Sequence, residues 1–248
     1  MAIPVIDFSK LYGEERAKTL AQIANACEVW GFFQLVNHGI SEELLERVKK
    51  VASECYKLER EEGFKNSAAV KKLNELVEKK SGEKLENLDW EDVFLLSDDN
   101  EWPSKTPGFK ETMAEYRSEL KKLAENVMEV MDENLGLPKG YIKKAFNGGE
   151  GDNAFFGTKI EVLSNGRYKS IWHRVNATPD GNRRSIASFY NPSLKATIAP
   201  APELSEKANQ EVEQAANYPK FVFGDYMSVY AEQKFLPKEP RFQAVNAM

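Results

Sequence analysis

The spacing of apolar residues predicts two helices near the start of the chain, separated by a short strand. The apolar face of the first helix consists of Ala17, Leu20, Ala24 and Cys27. The face of the second consists of Leu44, Val48, Val51, Cys55 and Leu58. Gly31 stands where the first helix would end, and Ser41 can cap the second. The aromatic, β-prone run Phe32–Val36 lies between them, so the chain begins as helix, strand, helix.

Further helices are predicted up to about residue 148. A charge-rich stretch predicts exposed helix around Val70 and includes an apolar patch around Trp90. Pro103 and Pro107 interrupt this pattern. Apolar residues then recur at helical spacing from Met113 to Leu135, and this long helix is expected to end at Gly136-Leu137-Pro138.

After about Gly148 the pattern becomes that of β-strands. Alternate residues share a face in Tyr168–Val175 and again in Arg183–Phe189. A turn through Pro179–Asn182 would join these two strands. A third strand is expected at Thr197–Ala199, and a closing helix at Tyr226–Phe235. The pattern as a whole indicates an α+β protein.

Composition excludes several classes of function. The 248 residues are 42% hydrophobic, and their 34 basic and 39 acidic residues give a net charge of −5 without any block of Lys and Arg. We therefore expect no nucleic-acid partner. No apolar run approaches the ~20 residues that span a bilayer, and the first residues lack the features of a signal peptide, so we expect a cytoplasmic protein with no membrane partner. Cys27 and Cys55 lie on apolar helix faces, which favours reduced, buried thiols over a disulfide or a metal site.

Candidate chemistry centres on the only two histidines, His38 and His173. His38 lies in the turn after the first strand, where a structural hydrogen-bonding role is expected. His173 shares the inward face of a predicted strand with Ile171 and Val175. Arg183 and Ser185 share one face of the next strand. From the pattern alone, His173 is either a packed core residue or a ligand.

Several motifs add information that periodicity does not carry. Residues 165–175 (NGRYKSIWHRV) and 183–192 (RRSIASFYNP) resemble the C-terminal half of the double-stranded β-helix of Fe(II) dioxygenases. Residues 30–40 (WGFFQLVNHGI) resemble the N-terminal signature of the plant branch of that superfamily. Shorter motifs are similar to those of the 1-aminocyclopropane-1-carboxylate oxidase family: residues 88–91 (LDWE), 156–159 (FGTK), 218–223 (YPKFVF) and 239–242 (EPRF). The resemblance covers essentially the whole chain.

The resemblance implies a fold and a reaction. The fold would be a helical N-terminal region packed on a truncated double-stranded β-helix, or jelly roll. Its parts would be an N-terminal helical domain (1–110), a long helix and connection (111–148), and a partial double-stranded β-helix with a C-terminal helix (149–248). The reaction would be oxidation of 1-aminocyclopropane-1-carboxylate by O₂ and ascorbate to ethylene, cyanide and CO₂, with Fe(II) as cofactor and bicarbonate or CO₂ as activator.

The resemblance also implies roles for individual residues. The family holds iron with a His-x-Asp pair and a distal histidine, and His173 matches the distal histidine. Arg183 and Ser185 match an Arg-x-Ser pair that binds a carboxylate or bicarbonate. Basic residues implicated in binding substrate, ascorbate or bicarbonate are matched by Lys159, Lys169 and Arg241.

The chain departs from the family between Lys159 and Asn165. Only Ile160–Ser164 lie there, whereas the family has several strands that include the His-x-Asp. In a His-x-Asp pair the aspartate is the second residue after the histidine. Ile40 and Val175 occupy that position after His38 and His173, so the chain contains no His-x-Asp. Glu161 or Asp152 are conceivable substitutes, and Gln243 stands where the family usually has a carboxylate. A truncated sheet would also leave unpaired strand edges, which favour self-association.

Three functional hypotheses remain open on the sequence. The chain is an iron-dependent oxidase of 1-aminocyclopropane-1-carboxylate, or a non-catalytic truncated variant or gene-model fragment that at most binds partners. The third hypothesis is a 2-oxoglutarate-dependent relative. The loss of two of three iron ligands argues for the second, because removing even an outer-shell partner of a metal typically costs ~10–100-fold in affinity.

Overall fold

The computed structural model describes residues 2–78, 96, 101–147, 158–173, 184–205, 218–233 and 238–246. The chain divides into two compact units. The first unit contains residues 1–39 and 120–248, and the second contains residues 40–119. The three consecutive segments expected from the sequence, with boundaries near 110 and 148, stay a prediction. Within the described ranges, no helix is both long and apolar enough to cross a membrane.

The described elements are mostly helices. The first unit contains strand β1 (Val5–Asp7), a 3-10 turn (Phe8–Tyr12), helix α1 (Arg16–Asn25), a π-turn (Ala26–Trp30) and strand β2 (Gln34–Val36). It continues with α6 (Tyr141–Asn147), α7 (Thr158–Leu163), β3 (Thr197–Ile198), β4 (Phe221–Val222), α8 (Phe223–Glu232) and α9 (Lys238–Asn246). The second unit contains α2 (Glu42–Glu59), α3 (Glu61–Lys65) and α4 (Ala68–Glu78). Helix α5 (Phe109–Leu135) begins in the second unit and ends in the first.

The helix and strand at the start of the chain are confirmed, but the buried face of the helix carries Ile23 and Ala26 beside Cys27, and Ala17, predicted on that face, is exposed. Gly31 adopts a left-handed conformation with φ of 64°, and its N–H donates to the carbonyl of Ala26 at 2.9 Å, which ends the first helix. The strand is shorter than expected, because it begins at Gln34. Strand β2 pairs in parallel with β1, in a register that places Ile6 opposite Leu35.

The second predicted helix is also confirmed, apart from its last turn. The hydroxyl of Ser41 accepts a hydrogen bond from the N–H of Leu44 at 3.2 Å and so caps α2. Leu44, Val48, Val51 and Cys55 are buried. The prediction was wrong for Leu58, which is 61% exposed, because α2 ends one residue later. Helix α4 confirms the helix expected around Val70, whereas the apolar patch around Trp90 lies outside the described residues.

Two of the predicted strands are not formed. Residues 168–173 and 184–189, the described parts of those strands, lie in no strand, and residues 174–183, including the predicted turn, fall outside the described ranges. A strand must hydrogen-bond to a neighbour, and the short Ile160–Ser164 connection supplies none. The third strand is confirmed as β3, which pairs antiparallel with β4, and the closing helix is confirmed as α8. The described part of the chain is thus far richer in helix than a complete double-stranded β-helix.

Asp132 connects the end of α5 to the start of α6. Its side chain is fully buried and accepts hydrogen bonds from the backbone N–H groups of Gly140 at 2.8 Å and Ile142 at 3.0 Å. Burial raises the pKa of this carboxyl, and the backbone donors oppose the rise. The carboxylate therefore caps α6 from the neighbouring helix.

We expect Asp132→Ala to lower the free energy of unfolding by about 2–3 kcal/mol, because it leaves one buried and one part-buried N–H group without their acceptor. Asp132→Asn should cost less, since the amide oxygen can still accept one bond and no charge is buried. Urea denaturation followed by circular dichroism measures both changes. Glu133→Ala is the matched control, because Glu133 is the next residue but forms an exposed pair with Arg16. Equal losses in Asp132→Ala and Glu133→Ala would contradict the capping role.

Candidate functional site

Five of the six predicted site residues can be located in the structure. Arg183 lies outside the described residues. Lys159 and Arg241 are buried, whereas Lys169, His173 and Ser185 are exposed. Lys159 and Arg241 both contact helix α8, and Lys169 and His173 lie on one segment that packs against the end of α1. The predicted residues therefore form two groups, with Ser185 on the exposed 184–189 segment.

His173 is not inward-facing on a strand, contrary to the prediction. It is exposed, and its Nδ1 lies 3.2 Å from the carbonyl oxygen of Ile171. A carbonyl only accepts, so Nδ1 carries the proton and the Nε2 lone pair points away from this bond. The imidazole also meets the ring of Phe32 edge to face, with centroids 5.0 Å apart. Nε2 is therefore the atom of His173 that can accept a proton or bind a metal.

Lys159 lies at the start of α7 with its charge buried. Its Nζ is 4.9 Å from the centroid of the Phe223 ring, a cation–π contact. Burial lowers the pKa of Lys159 from 10.5 to about 8. A buried ammonium of this kind attracts an anion more strongly than an exposed one, because less water screens it.

Arg241 is the second buried cation. Its guanidinium carbon is 4.6 Å from the centroid of the Tyr230 ring, and its Nη2 donates to the carbonyl of Gln233 at 3.2 Å. Tyr230 follows Phe223 by two helical turns in α8, so the two rings project from nearby sides of the helix about 10 Å apart along its axis. Helix α8 thus holds one buried cation near each end.

Glu161, two residues after Lys159, is buried and pairs with the half-buried Tyr218. Burial, followed by the charge of Glu161 and the hydrogen bond to it, raises the pKa of Tyr218 to about 12. The Tyr218 ring also meets Phe242 edge to face at 5.5 Å. Glu161, a conceivable substitute ligand, is therefore engaged with a phenol. Asp152, the other substitute, lies outside the described residues.

Sequence reasoning missed the aromatic partners of the two cations. Phe223 and Tyr230 belong to the C-terminal region whose motifs were recognised, but neither was assigned a role. Their spacing of seven residues was a readable signal, because two helical turns return a side chain to nearly the same face. The pairing of Glu161 with Tyr218 had no such signal, because it joins distant parts of the sequence.

A cavity of about 770 Å³ lies in the second unit, and none of the predicted site residues is among its lining residues. Its lining includes Trp102, Lys110 and Arg117, and the guanidinium of Arg117 is 5.4 Å from the Trp102 ring. This cavity does not contribute to the two groups described above.

Comparison with protein families gives two matches. Residues 3–118 match the family described as non-haem dioxygenase in morphine synthesis N-terminal. Residues 150–192 match the 2OG-Fe(II) oxygenase superfamily. Five of the six predicted site residues fall within the second match, namely Lys159, Lys169, His173, Arg183 and Ser185, whereas Arg241 lies beyond it.

Curated relatives show to which branch of the superfamily the chain belongs. The chain is 56% identical to 1-aminocyclopropane-1-carboxylate oxidase of Musa acuminata and 56% identical to 1-aminocyclopropane-1-carboxylate oxidase 5 of Arabidopsis thaliana, with 100% of each chain covered. It is 40% identical to 1-aminocyclopropane-1-carboxylate oxidase 1 of Malus domestica. The chain belongs to the 1-aminocyclopropane-1-carboxylate oxidase family. This family comprises non-haem iron oxygenases of ethylene biosynthesis.

The alignments also bear on the shortened region of this oxidase-family chain. The match to the Musa acuminata relative extends over 310 positions, whereas the chain has 248 residues. About sixty positions of the relative therefore have no counterpart here. This agrees with the expectation that a segment of several strands is missing.

Solved structures support the superfamily at the level of fold. The crystal structure of JOX2 in complex with 2OG, Fe and JA matches with a TM-score of 0.67 and 27% identity, covering 91% of this chain and 84% of that one. A dioxygenase for auxin oxidation in rice matches with a TM-score of 0.60 at 15% identity, covering 100% of this chain and 99% of that one. Both are oxygenases, and this family member keeps enough of their fold to superimpose.

The residues present do not fit an iron ion in the arrangement of the family. Two histidines and one carboxylate are needed on one face of the metal. The sequence contains only His38 and His173 and no His-x-Asp, and the described residues contain no group of three His, Cys, Asp or Glu side chains that could hold a metal. Of the ligand set that the resemblance implies, only the distal histidine has a match in the sequence, and the role of His173 stays a prediction.

We expect the burial of Lys159 to make stability depend on pH. Its pKa in the folded chain, about 8, is lower than the ordinary 10.5. The free energy of unfolding of the wild type should therefore rise with pH between these two values, because the buried side chain loses its charge. Below about pH 8, Lys159→Met should be more stable than the wild type by about 1–3 kcal/mol, and the difference should shrink by pH 10. Urea denaturation at several pH values measures this.

Lys169→Met is the control, because Lys169 is exposed and its removal should leave the pH dependence of unfolding as it is in the wild type. A constant difference between Lys159→Met and the wild type from pH 7 to pH 10 would show that the Lys159 ammonium is hydrated in solution.

Proposed function

We propose that this chain functions in ethylene biosynthesis as a non-haem iron oxidoreductase, by the family reaction that converts 1-aminocyclopropane-1-carboxylate to ethylene with O₂ and ascorbate. The observation that carries the proposal is the 56% identity to 1-aminocyclopropane-1-carboxylate oxidases along the whole chain. A 2-oxoglutarate-dependent activity has weaker support, since the JOX2 complex with 2OG is only 27% identical.

The chain retains the basic residues that the family is expected to use for binding anions. We propose that Lys159 and Arg241 attract the anionic groups of the reaction: the substrate carboxylate, ascorbate, or bicarbonate as activator. Their burial supports this role, because charge–charge attraction is stronger where water is excluded. Arg183, Ser185 and Lys169 are proposed to assist, since a guanidinium fork and a hydroxyl together suit a carboxylate.

The iron-binding half is reduced to one residue. Iron supplies O₂ activation in this family, and His173 would contribute its Nε2 atom. Because the remaining ligands are absent, the retained residues can bind and orient anions but do not form a complete metal centre.

A second candidate function is a non-catalytic, truncated member of the family. The observation that favours it is the single histidine in place of three iron ligands. Exposed apolar side chains, among them Trp172, Ile186 and Phe189, support a role in self-association. The two free, buried cysteines, Cys27 and Cys55, support the proposed cytoplasmic location for either candidate.

Iron affinity and ethylene formation together test the proposal. We expect Fe(II) to bind at least ~100-fold more weakly than to the Musa acuminata relative in anaerobic calorimetry, because two ligands are missing. Ethylene is then measured by gas chromatography with 1-aminocyclopropane-1-carboxylate, ascorbate, bicarbonate and increasing Fe(II). Under the oxidase proposal, ethylene rises with Fe(II) and disappears in His173→Ala.

His38→Ala is the matched control, because it removes the only other histidine and should leave ethylene formation as in the wild type. Ethylene no higher than in His173→Ala at any Fe(II) concentration rejects the oxidase proposal and selects the non-catalytic candidate. Succinate release with 2-oxoglutarate would instead identify a 2-oxoglutarate-dependent relative.

A further inference from the structure

Residues 167–173, which we call the His173 segment, are attached to the π-turn at the end of helix α1. The backbone N–H of Lys169 donates to the carbonyl of Cys27 at 2.9 Å. The guanidinium Nε of Arg167 is 2.6 Å from a carboxylate oxygen of Glu28. Between these two contacts, the side chain of Tyr168 is buried in the core with a relative exposure of 2%. The segment is therefore held by backbone, charge and packing, although it lies in no strand.

Gly31 permits this close approach. A Cβ atom at residue 31 would lie 2.6 Å from the carbonyl oxygen of Lys169 and 2.5 Å from Cγ1 of Ile171. The carbonyl belongs to the backbone and cannot rotate away as a side chain can. A side chain at residue 31 would therefore push the His173 segment off the end of α1.

Phe32, the next residue, contacts the imidazole itself. Its ring and the His173 ring meet at an interplanar angle of 80°. The carbonyl oxygen of Ile171 accepts a hydrogen bond from Nδ1–H of the same imidazole. The Phe32 ring restricts rotation of the imidazole, and the carbonyl selects its tautomer. Both contacts leave Nε2 as the available nitrogen.

We infer that Phe32 is a positioning residue for His173 and that Gly31 provides the space for this contact. The turn after α1 thus sets the orientation and tautomer of the imidazole without a strand partner. The inference adds to the proposed function, in which His173 is the retained iron-ligand position. Its test requires neither iron nor ethylene, so it can fail or succeed independently of that function.

The tautomer of His173 is the first readout. We expect ¹⁵N-histidine NMR at about pH 8 to show the neutral form of His173 predominantly as the Nδ1–H tautomer. The chain has only two histidines, so the signal lost in His173→Ala assigns the spectrum. Phe32→Leu should shift the His173 nitrogens towards a mixture of tautomers and leave His38 in place. Phe33→Leu, a change at the next residue, should move neither histidine.

Hydrogen exchange of the Lys169 amide is the second readout, because this amide donates to Cys27. Gly31→Ala should accelerate its exchange by at least about tenfold. Gly108→Ala is the matched control: Gly108 has a similar φ of 72°, but a Cβ there meets nothing within 4 Å. It carries the same backbone strain without the clash, so Lys169 exchange should not change.

Unchanged His173 nitrogens in Phe32→Leu would overturn the role of Phe32. Equal Lys169 exchange in Gly31→Ala and Gly108→Ala would overturn the role of Gly31. Far-UV circular dichroism and the His38 signals show whether each variant is folded, and Phe32→Leu still tests the inference if Gly31→Ala fails to fold.

Discussion

The first unit depends on one buried core that brings the end of helix α1 and its π-turn together with residues from later in the chain. Ile23, Ala26 and Cys27 share one buried core with residues of α7 and with Tyr168. Fully burying a large apolar side chain is worth about 1.5–3 kcal/mol, so this contact outweighs the exposed ion pairs around it. Lys159 precedes the buried apolar residues of α7, and His173 follows Tyr168. The positions of both candidate functional residues are therefore consequences of the same packing.

The helices could be predicted from the sequence because their signals are local. The cap at Ser41 and the left-handed glycine at residue 31 are each decided by a few neighbouring residues. The two strands expected at 168–175 and 183–189 did not follow from local signals in this way. The run from Tyr168 alternates as a strand does, but alternation describes only one chain, and pairing requires a second. The run from Tyr168 forms no strand because it has no partner strand, and the periodicity of one segment does not indicate whether a partner is present.

The site shows the same division. The identities of Lys159, His173 and Arg241 came from motifs that resemble the oxidase family. Their environments came from contacts between distant parts of the sequence, such as Lys159 on the ring of Phe223. Burial of a cation depends on what packs over it, and neither composition nor spacing contains that information. The exposure of His173 follows from the same absence of neighbours that left its segment without a strand.

The division of the first unit between the two ends of the chain has a consequence for biosynthesis. Helix α1 leaves the ribosome before the residues that cover its apolar face have been made, and all of residues 40–119 are synthesised in the interval. At translation rates of about 5–20 residues per second, that interval is on the order of ten seconds. Of the other buried residues of this core, only Ile6, Phe8 and Leu11, which precede α1, are present to pack against it during this time. The core of the first unit is therefore completed only after the whole second unit has been synthesised.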